Sequence, residues 1–265
     1  MSMDYGGIEV KAAQWYHQDK TMFSYIEDPT KDMHKDTAGE IFLLPNEEIS
    51  KDTRFVAKND FVFAQFYGDY YRNNAKSLWS DIDKMHLKTK QTEIPLKKHL
   101  RSNGISNYEK FVDHIKDIES SFWDVRFKEY KRWKEEWVKA FRKNGYFCSL
   151  SGFTYTGLMG KNQIINYPVQ GVAFHSLLWS LIQINKWMKM KGMKSLIVGQ
   201  IHDEIIFDVD PQEKDDLIAL AFIVMTKKIK QHWPWISTHL AVDVEAGKVD
   251  ESWDKLKLIQ ELRGE

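Results

Sequence analysis

Two apolar runs, Leu196-Ile197-Val198 and Ile205-Ile206-Phe207, flank a polar centre from Gln200 to Glu204, and no other stretch limits the fold as much. Short β-branched runs closing across a few polar residues read as a β-hairpin, although Ile201 inside the centre leaves the turn's register open. The other strand-like stretches are remote in sequence: Met3 to Gly7, Tyr146 to Leu150 and Leu240 to Val244. Any sheet they share is assembled from distant parts of the chain, so the parts interlock.

Between these stretches the period is helical. Ile8, Ala12 and Trp15 share a face in the first fifty residues, and residues 51 to 144 read as almost entirely helical. Ser106-Asn107-Tyr108-Glu109 has capping-box spacing, and Tyr108, Phe111, Ile115, Ile118 and Phe122 then recur at three- and four-residue steps, with a break near 123 to 128. Tyr130, Trp133, Trp137 and Phe141 lead to a left-handed cap at Asn144-Gly145. A further helix is expected from Pro168, burying Val169, Ala173, Leu177, Leu181, Ile184 and Met188, and another from Gln212 to Lys230.

Composition narrows the function classes. With 43% hydrophobic and 29% charged residues the chain is globular, and 38 Lys+Arg against 38 Asp+Glu leaves no overall field to draw in a polyanion. Nucleic-acid contact must come from local cations, such as Lys84 to Arg101 or Lys186 to Lys194, or from a partner. The one cysteine, Cys148, forms no internal disulfide, no apolar run nears the roughly 18 residues of a membrane span, and no signal peptide is evident. The expectation is a soluble, cytoplasmic protein.

Asp4, beside the first strand, and Asp203, at the hairpin turn, are the sharpest chemical features. Brought together by a sheet, two carboxylates can hold a pair of divalent ions about 3.5–4 Å apart, the arrangement that serves phosphoryl transfer. Mg²⁺ is the natural occupant, because it takes few protein ligands and prefers carboxylate, water and phosphate oxygens. His202-Asp203-Glu204 puts three ionisable groups where a plain hairpin needs none.

Five stretches occur in a telling order: Met3-Asp4-Tyr5-Gly6-Gly7-Ile8-Glu9, Lys31-Asp32-Met33-His34, Arg54 to Gly68, Asn166-Tyr167-Pro168-Val169-Gln170-Gly171, and Ile201-His202-Asp203-Glu204. They resemble the motifs of family A DNA polymerases, the bacterial DNA polymerase I class, and Val242 to Glu245 with Ser252-Trp253-Asp254 resembles that family's C-terminus. The resemblance implies an α+β fold: a polymerase palm, a small antiparallel sheet with flanking helices, into which a mostly helical fingers domain is inserted. Palm would comprise residues 1–28 and 145–265, and fingers residues 29–144. Thumb and exonuclease domain are not expected in the chain.

The resemblance also assigns roles. Asp4 and Asp203 would bind two Mg²⁺ ions, with Glu204 as a supporting acid. Glu9 would be a steric gate against a 2′-hydroxyl. His34, Arg54 and Lys58 would meet the triphosphate, Phe63 and Tyr67 would stack on the nucleotide, and Gly68 would leave room for the template base. Asn166 and Gln170 would touch the minor groove of the primer-template, whose acceptors are common to all base pairs, and His202 would lie near the primer terminus.

The sequence departs from the family pattern in places. Lys58 and Phe63 are five residues apart rather than four, which swings the ring off the shared face unless a π-bulge absorbs the extra residue. Asn162 stands where an arginine is expected, and Phe174-His175 replaces smaller residues. Because the first catalytic motif comes at residue 4, the expected activity is template-directed DNA synthesis from dNTPs by the C-terminal subunit of a split, phage-type polymerase in the host cytoplasm. A second polypeptide would supply thumb, the rest of the palm and, where proofreading accompanies synthesis, a 3′–5′ exonuclease. The alternatives are a non-catalytic DNA-binding subunit of a replication complex, a single-subunit RNA polymerase, and a metal-dependent phosphohydrolase using His34, His202 and Asp203.

Overall fold

The computed structural model describes residues 1–264. The chain opens with strand β1 (Ser2–Tyr5) and helix α1 (Ile8–His17). Eight helices follow: α2 (Lys20–Glu27), α3 (Met33–Phe42), α4 (Lys51–Ala57), α5 (Ala64–Phe66), α6 (Tyr71–Lys84), α7 (Leu96–Ser102), α8 (Tyr108–Ser121) and α9 (Lys128–Asn144). The hairpin β2 (Tyr146–Cys148) and β3 (Thr154–Thr156) leads into α10 (Lys161–Met190). Then come β4 (Leu196–Ile201), β5 (Glu204–Asp208), α11 (Lys214–Ile223), α12 (Ile229–His232), β6 (Ala241–Ala246) and β7 (Lys257–Arg263). This is the expected α+β fold. It forms two compact units: a sheet unit of residues 1–18, 139–158 and 166 onward, and a helical unit of residues 19–138 and 159–165.

In the sheet unit, five antiparallel strands lie in the order β4-β5-β1-β6-β7, so the first strand of the chain is the middle of the sheet. Side chains alternate across a strand. Met3, Tyr5, Ile205, Phe207, Val242 and Val244 point to one face and are at most 2% exposed. There the Tyr5 hydroxyl meets Ser180 Oγ and donates to the Met225 carbonyl, both at 2.8 Å, which ties β1 to α10 and to the π-helical turn after α11. Alternation leaves Asp4 on the opposite face.

Two sequence expectations are corrected here. Pro168 lies inside α10, which begins seven residues earlier, at Lys161. Proline denies a hydrogen bond to the carbonyl four residues back, that of Ile164, and the Trp137 indole N–H donates to it instead at 3.1 Å. The last strand, β7, was not expected, because Lys257 to Arg263 mixes charged residues with Leu258, Ile259 and Leu262 without strict alternation and lies mostly exposed along an edge.

In the helical unit, side chains start the helices: Asp19 caps α2, Asp32 caps α3, Ser50 caps α4 and Asn107 caps α8. The break expected near 123 to 128 is a π-helical turn, Phe122–Arg126, whose Phe122 packs edge-on against Phe61, 5.4 Å between centroids. A buried amide network fixes the end of α5. Gln65 donates to Asn74 Oδ1 at 2.6 Å and accepts from Trp123 Nε1 at 2.6 Å.

Candidate active site

Strand register lines up four acids on the polar face of the sheet. Asp4 stands opposite Glu204 on one side and Asp243 on the other, and Asp243 stands opposite Glu261. Directly opposed residues bring their Cβ atoms to about 4.5–5.5 Å, and like charges so placed repel. The Asp4 carboxyl is accordingly pushed up to about 7, first by burial and then by Asp243, Asp203, Glu204 and Glu245. Burial and Glu261 also raise Asp243, while Lys11 opposes them.

Asp203 joins this row through the β4–β5 turn. Ile201 pairs with Glu204, leaving a two-residue loop of His202 and Asp203, and the Tyr5 N–H donates to the Asp203 carbonyl at 3.4 Å. His202 adopts a left-handed φ of 51°, a conformation L-residues rarely take, and its side chain is exposed. Asp4, Asp203 and Glu204 are therefore gathered where β1 meets the β4–β5 turn, on one sheet face. Among the described residues no three metal-ligand side chains close into a cage. An open row of hard carboxylate oxygens suits a hard divalent cation that keeps much of its water.

A second constellation lies in the helical unit. Between α4 and α5 the helix widens into a π-helical turn, Lys58–Phe63, which absorbs the extra residue and puts the Lys58 ammonium 5.1 Å from the Phe63 ring centroid. Phe63 lies edge-on to His34 at 5.5 Å and to Tyr67 at 6.5 Å. Burial, and after it the cations Arg54 and Lys58, press the His34 pKa down to about 4, so its imidazole is neutral. Its Nδ1 is buried and has no hydrogen-bond partner among the described residues. Gly68 ends the stretch with φ 92°, and Asn162 Oδ1 would lie only 2.5 Å from a Cβ placed there. The space beside Gly68 thus holds the Asn162 amide.

Asn166 and Gln170 are one turn apart on α10, the first half-buried and the second exposed. Gly171 follows because the Tyr155 phenol crosses the helix at this point, and any Cβ would overlap its hydroxyl. Glu9 sits in the first turn of α1, behind Gly7 in a left-handed conformation of φ 64°.

Comparison with known proteins identifies the family. The model of DNA polymerase family A matches residues 1–255. The chain belongs to DNA polymerase family A. It is 26% identical over 254 residues to DNA polymerase I of Aquifex aeolicus, a match covering 95% of this chain and 38% of the relative. It is 24% identical over 243 residues to the DNA polymerase of Bacillus phage SP01, covering 87% of this chain and 22% of that one. The chain therefore spans well under half the length of these relatives. Its fold resembles the POL domain of Pol1 from M. smegmatis, solved with DNA primer-template and dNTP, at a TM-score of 0.60 and 20% identity over 85% of this chain and 36% of that one.

The sequence-derived residues fall into two groups by compact unit. Asp4, Glu9, Asn166, Gln170, His202, Asp203 and Glu204 belong to the sheet unit, and His34, Arg54, Lys58, Phe63, Tyr67 and Gly68 to the helical unit. Sequence reasoning missed Asp243, Glu261 and the acid beside Arg54, Asp32. The alternation Val242-Asp243-Val244-Glu245 was the available signal for Asp243, since it puts both acids on the face away from the core. Among the described residues no helix is long and apolar enough to cross a membrane.

Proposed function

We propose that the chain is the catalytic half of a split DNA polymerase. It extends a primer 3′-end under the direction of a template, joining the 3′-oxygen to the α-phosphorus of a deoxynucleoside triphosphate and releasing pyrophosphate. In this reading the palm is residues 1–28 and 145–265 and the fingers residues 29–144. The observation that carries the proposal is the carboxylate row centred on Asp4, which is electrostatically unfavourable unless a cation or a proton sits on it.

Asp4 and Asp203 would hold two Mg²⁺ ions, with Glu204 beside them. When bound, such a pair supplies Lewis acidity to the attacking and leaving oxygens. The chain's own residues do the rest. Arg54, Lys58 and neutral His34 offer N–H donors to the triphosphate, and Phe63 and Tyr67 stack on the nucleotide. Glu9 closes the space a 2′-hydroxyl would need, which favours deoxyribonucleotides. Asn166 and Gln170 test the minor groove of the primer-template, His202 lies near the primer end, and Gly68 with Asn162 borders the template base.

A second polypeptide supplies thumb, the rest of the palm and, where proofreading accompanies synthesis, a 3′–5′ exonuclease. The phage relative supports a bacteriophage origin and the host cytoplasm as the place of action. Primer extension with dNTPs and Mg²⁺, by the chain alone and with its partner, is the test. Extension only in the mixture is expected, and processive synthesis by the lone chain would sink the split-subunit reading.

A further inference from the structure

Asp32 stands beside Arg54, one of the cations of the His34, Arg54 and Lys58 cluster. Asp32, at the cap of α3 with φ −132°, accepts from the Lys35 N–H through Oδ1 at 3.0 Å and from Arg54 Nε through Oδ2 at 2.6 Å. A single side chain thus fixes the start of α3, which carries His34, and the guanidinium of Arg54 on α4. Partial burial works against its ionisation, but the Arg54 and Lys35 hydrogen bonds hold Asp32 below the usual carboxylate range.

Arginine has five N–H donors in a rigid fork, and a bond to Nε leaves the two terminal nitrogens for another acceptor. We propose that Asp32 is a positioning residue for nucleotide binding, holding Arg54 by its Nε so that the terminal nitrogens meet the triphosphate. The inference rests on the triphosphate reading of the His34, Arg54 and Lys58 cluster given above.

Two physical effects of Asp32 have opposite sign. As a negative charge it repels an anion, and removing it would tighten binding. As a tether it fixes a side chain that otherwise loses rotamer freedom on binding, and removing it would weaken binding. The pair is open to water, with side chains 33% and 40% exposed, so the Coulomb effect is screened and the tether prevails. The direction of change therefore tells the two apart.

The experiment is calorimetric titration of the full chain with a deoxynucleoside triphosphate and with inorganic tripolyphosphate. Asn caps helices about as well as Asp, but with its oxygen kept on Lys35 the amide NH₂ stands where Oδ2 accepted from Arg54, and an NH₂ cannot accept. Asp32→Asn should weaken triphosphate binding about tenfold, a change of about 1.4 kcal/mol, with its unfolding midpoint held. It should add less than twofold in an Arg54→Ala background, and Asp32→Glu should recover most of the loss. If Asp32→Asn unfolds at the assay temperature, Asp32→Ser, which also caps, replaces it. Unchanged or tighter binding, or an equal loss without Arg54, overturns the positioning role alone. A wild-type chain that binds neither ligand overturns the triphosphate reading itself.

Discussion

Asp4 and Glu204 face each other directly across β1 and β5, in the middle of a sheet whose next strand sets Asp243 against the other side of Asp4. A fold gains nothing from such a juxtaposition unless a positive charge joins it, which makes the row a load on stability that ligand binding can relieve.

That load has a pH signature. Asp4 is raised from 3.8 to about 7, so the folded chain takes up a proton the unfolded chain does not, and stability falls as pH rises between those values. Asp4→Asn should stabilise the protein at pH 8 by about 1 kcal/mol, discounted for partial exposure, or roughly 2–4 °C in midpoint, with little change near pH 4. Added Mg²⁺ should raise the wild-type midpoint at pH 8 more than at pH 5 and leave Asp4→Asn nearly unmoved. Thermal unfolding across this pH range decides it; destabilisation of Asp4→Asn at pH 8 would contradict the repulsion.

Asp203 separates chemistry from folding. It sits in a two-residue turn, where an amide replaces a carboxylate without disturbing the core. Asp203→Asn should lower primer extension by about a hundredfold or more, since losing one ligand of a divalent ion removes several kcal/mol of transition-state stabilisation. Its unfolding midpoint should stay within a degree or two. Retained synthesis would take Asp203 out of the mechanism.

How much of this was legible beforehand differs by element, for physical reasons. The hairpin, the helix cores and the order of the motifs were legible because apolar periodicity and turn chemistry are local signals. Even the widened turn at Lys58–Phe63 announced itself as a spacing one residue too long. The start of α10 was not legible, because Pro168 signals a first turn and only a tryptophan from another helix, Trp137, makes it tolerable further in. Local alternation gave the face of Asp243 but not its partner Asp4, and nothing local pairs Asp32 with Arg54: one relation runs through strand register and the other through a hydrogen bond 22 residues away in sequence.

Gly171 gives a packing prediction. A methyl group there would overlap the Tyr155 hydroxyl, so Gly171→Ala should cost about 1–3 kcal/mol in denaturant titration. Adding Tyr155→Phe removes the nearest atom and leaves the ring carbon at 3.0 Å, so the double variant should recover part of the loss. Equal stability of the single and double variants would show that the helix and the β2–β3 hairpin shift apart freely.

Trp137 tests how the chain accommodates its internal proline. Ile164 is 1% exposed, and its carbonyl loses the helical donor that Pro168 lacks. Trp137→Phe removes that indole donor, and a buried acceptor that loses its donor costs about 1–3 kcal/mol. Because the fault would be the missing donor rather than lost packing, Pro168→Ala should restore most of the stability in the Trp137→Phe background by returning an N–H to the helix. In the wild-type background the same proline change should gain much less, since Ile164 is already served. Denaturation of the four variants gives the coupling directly, and additive effects would show that Trp137 stabilises the region by ring packing alone.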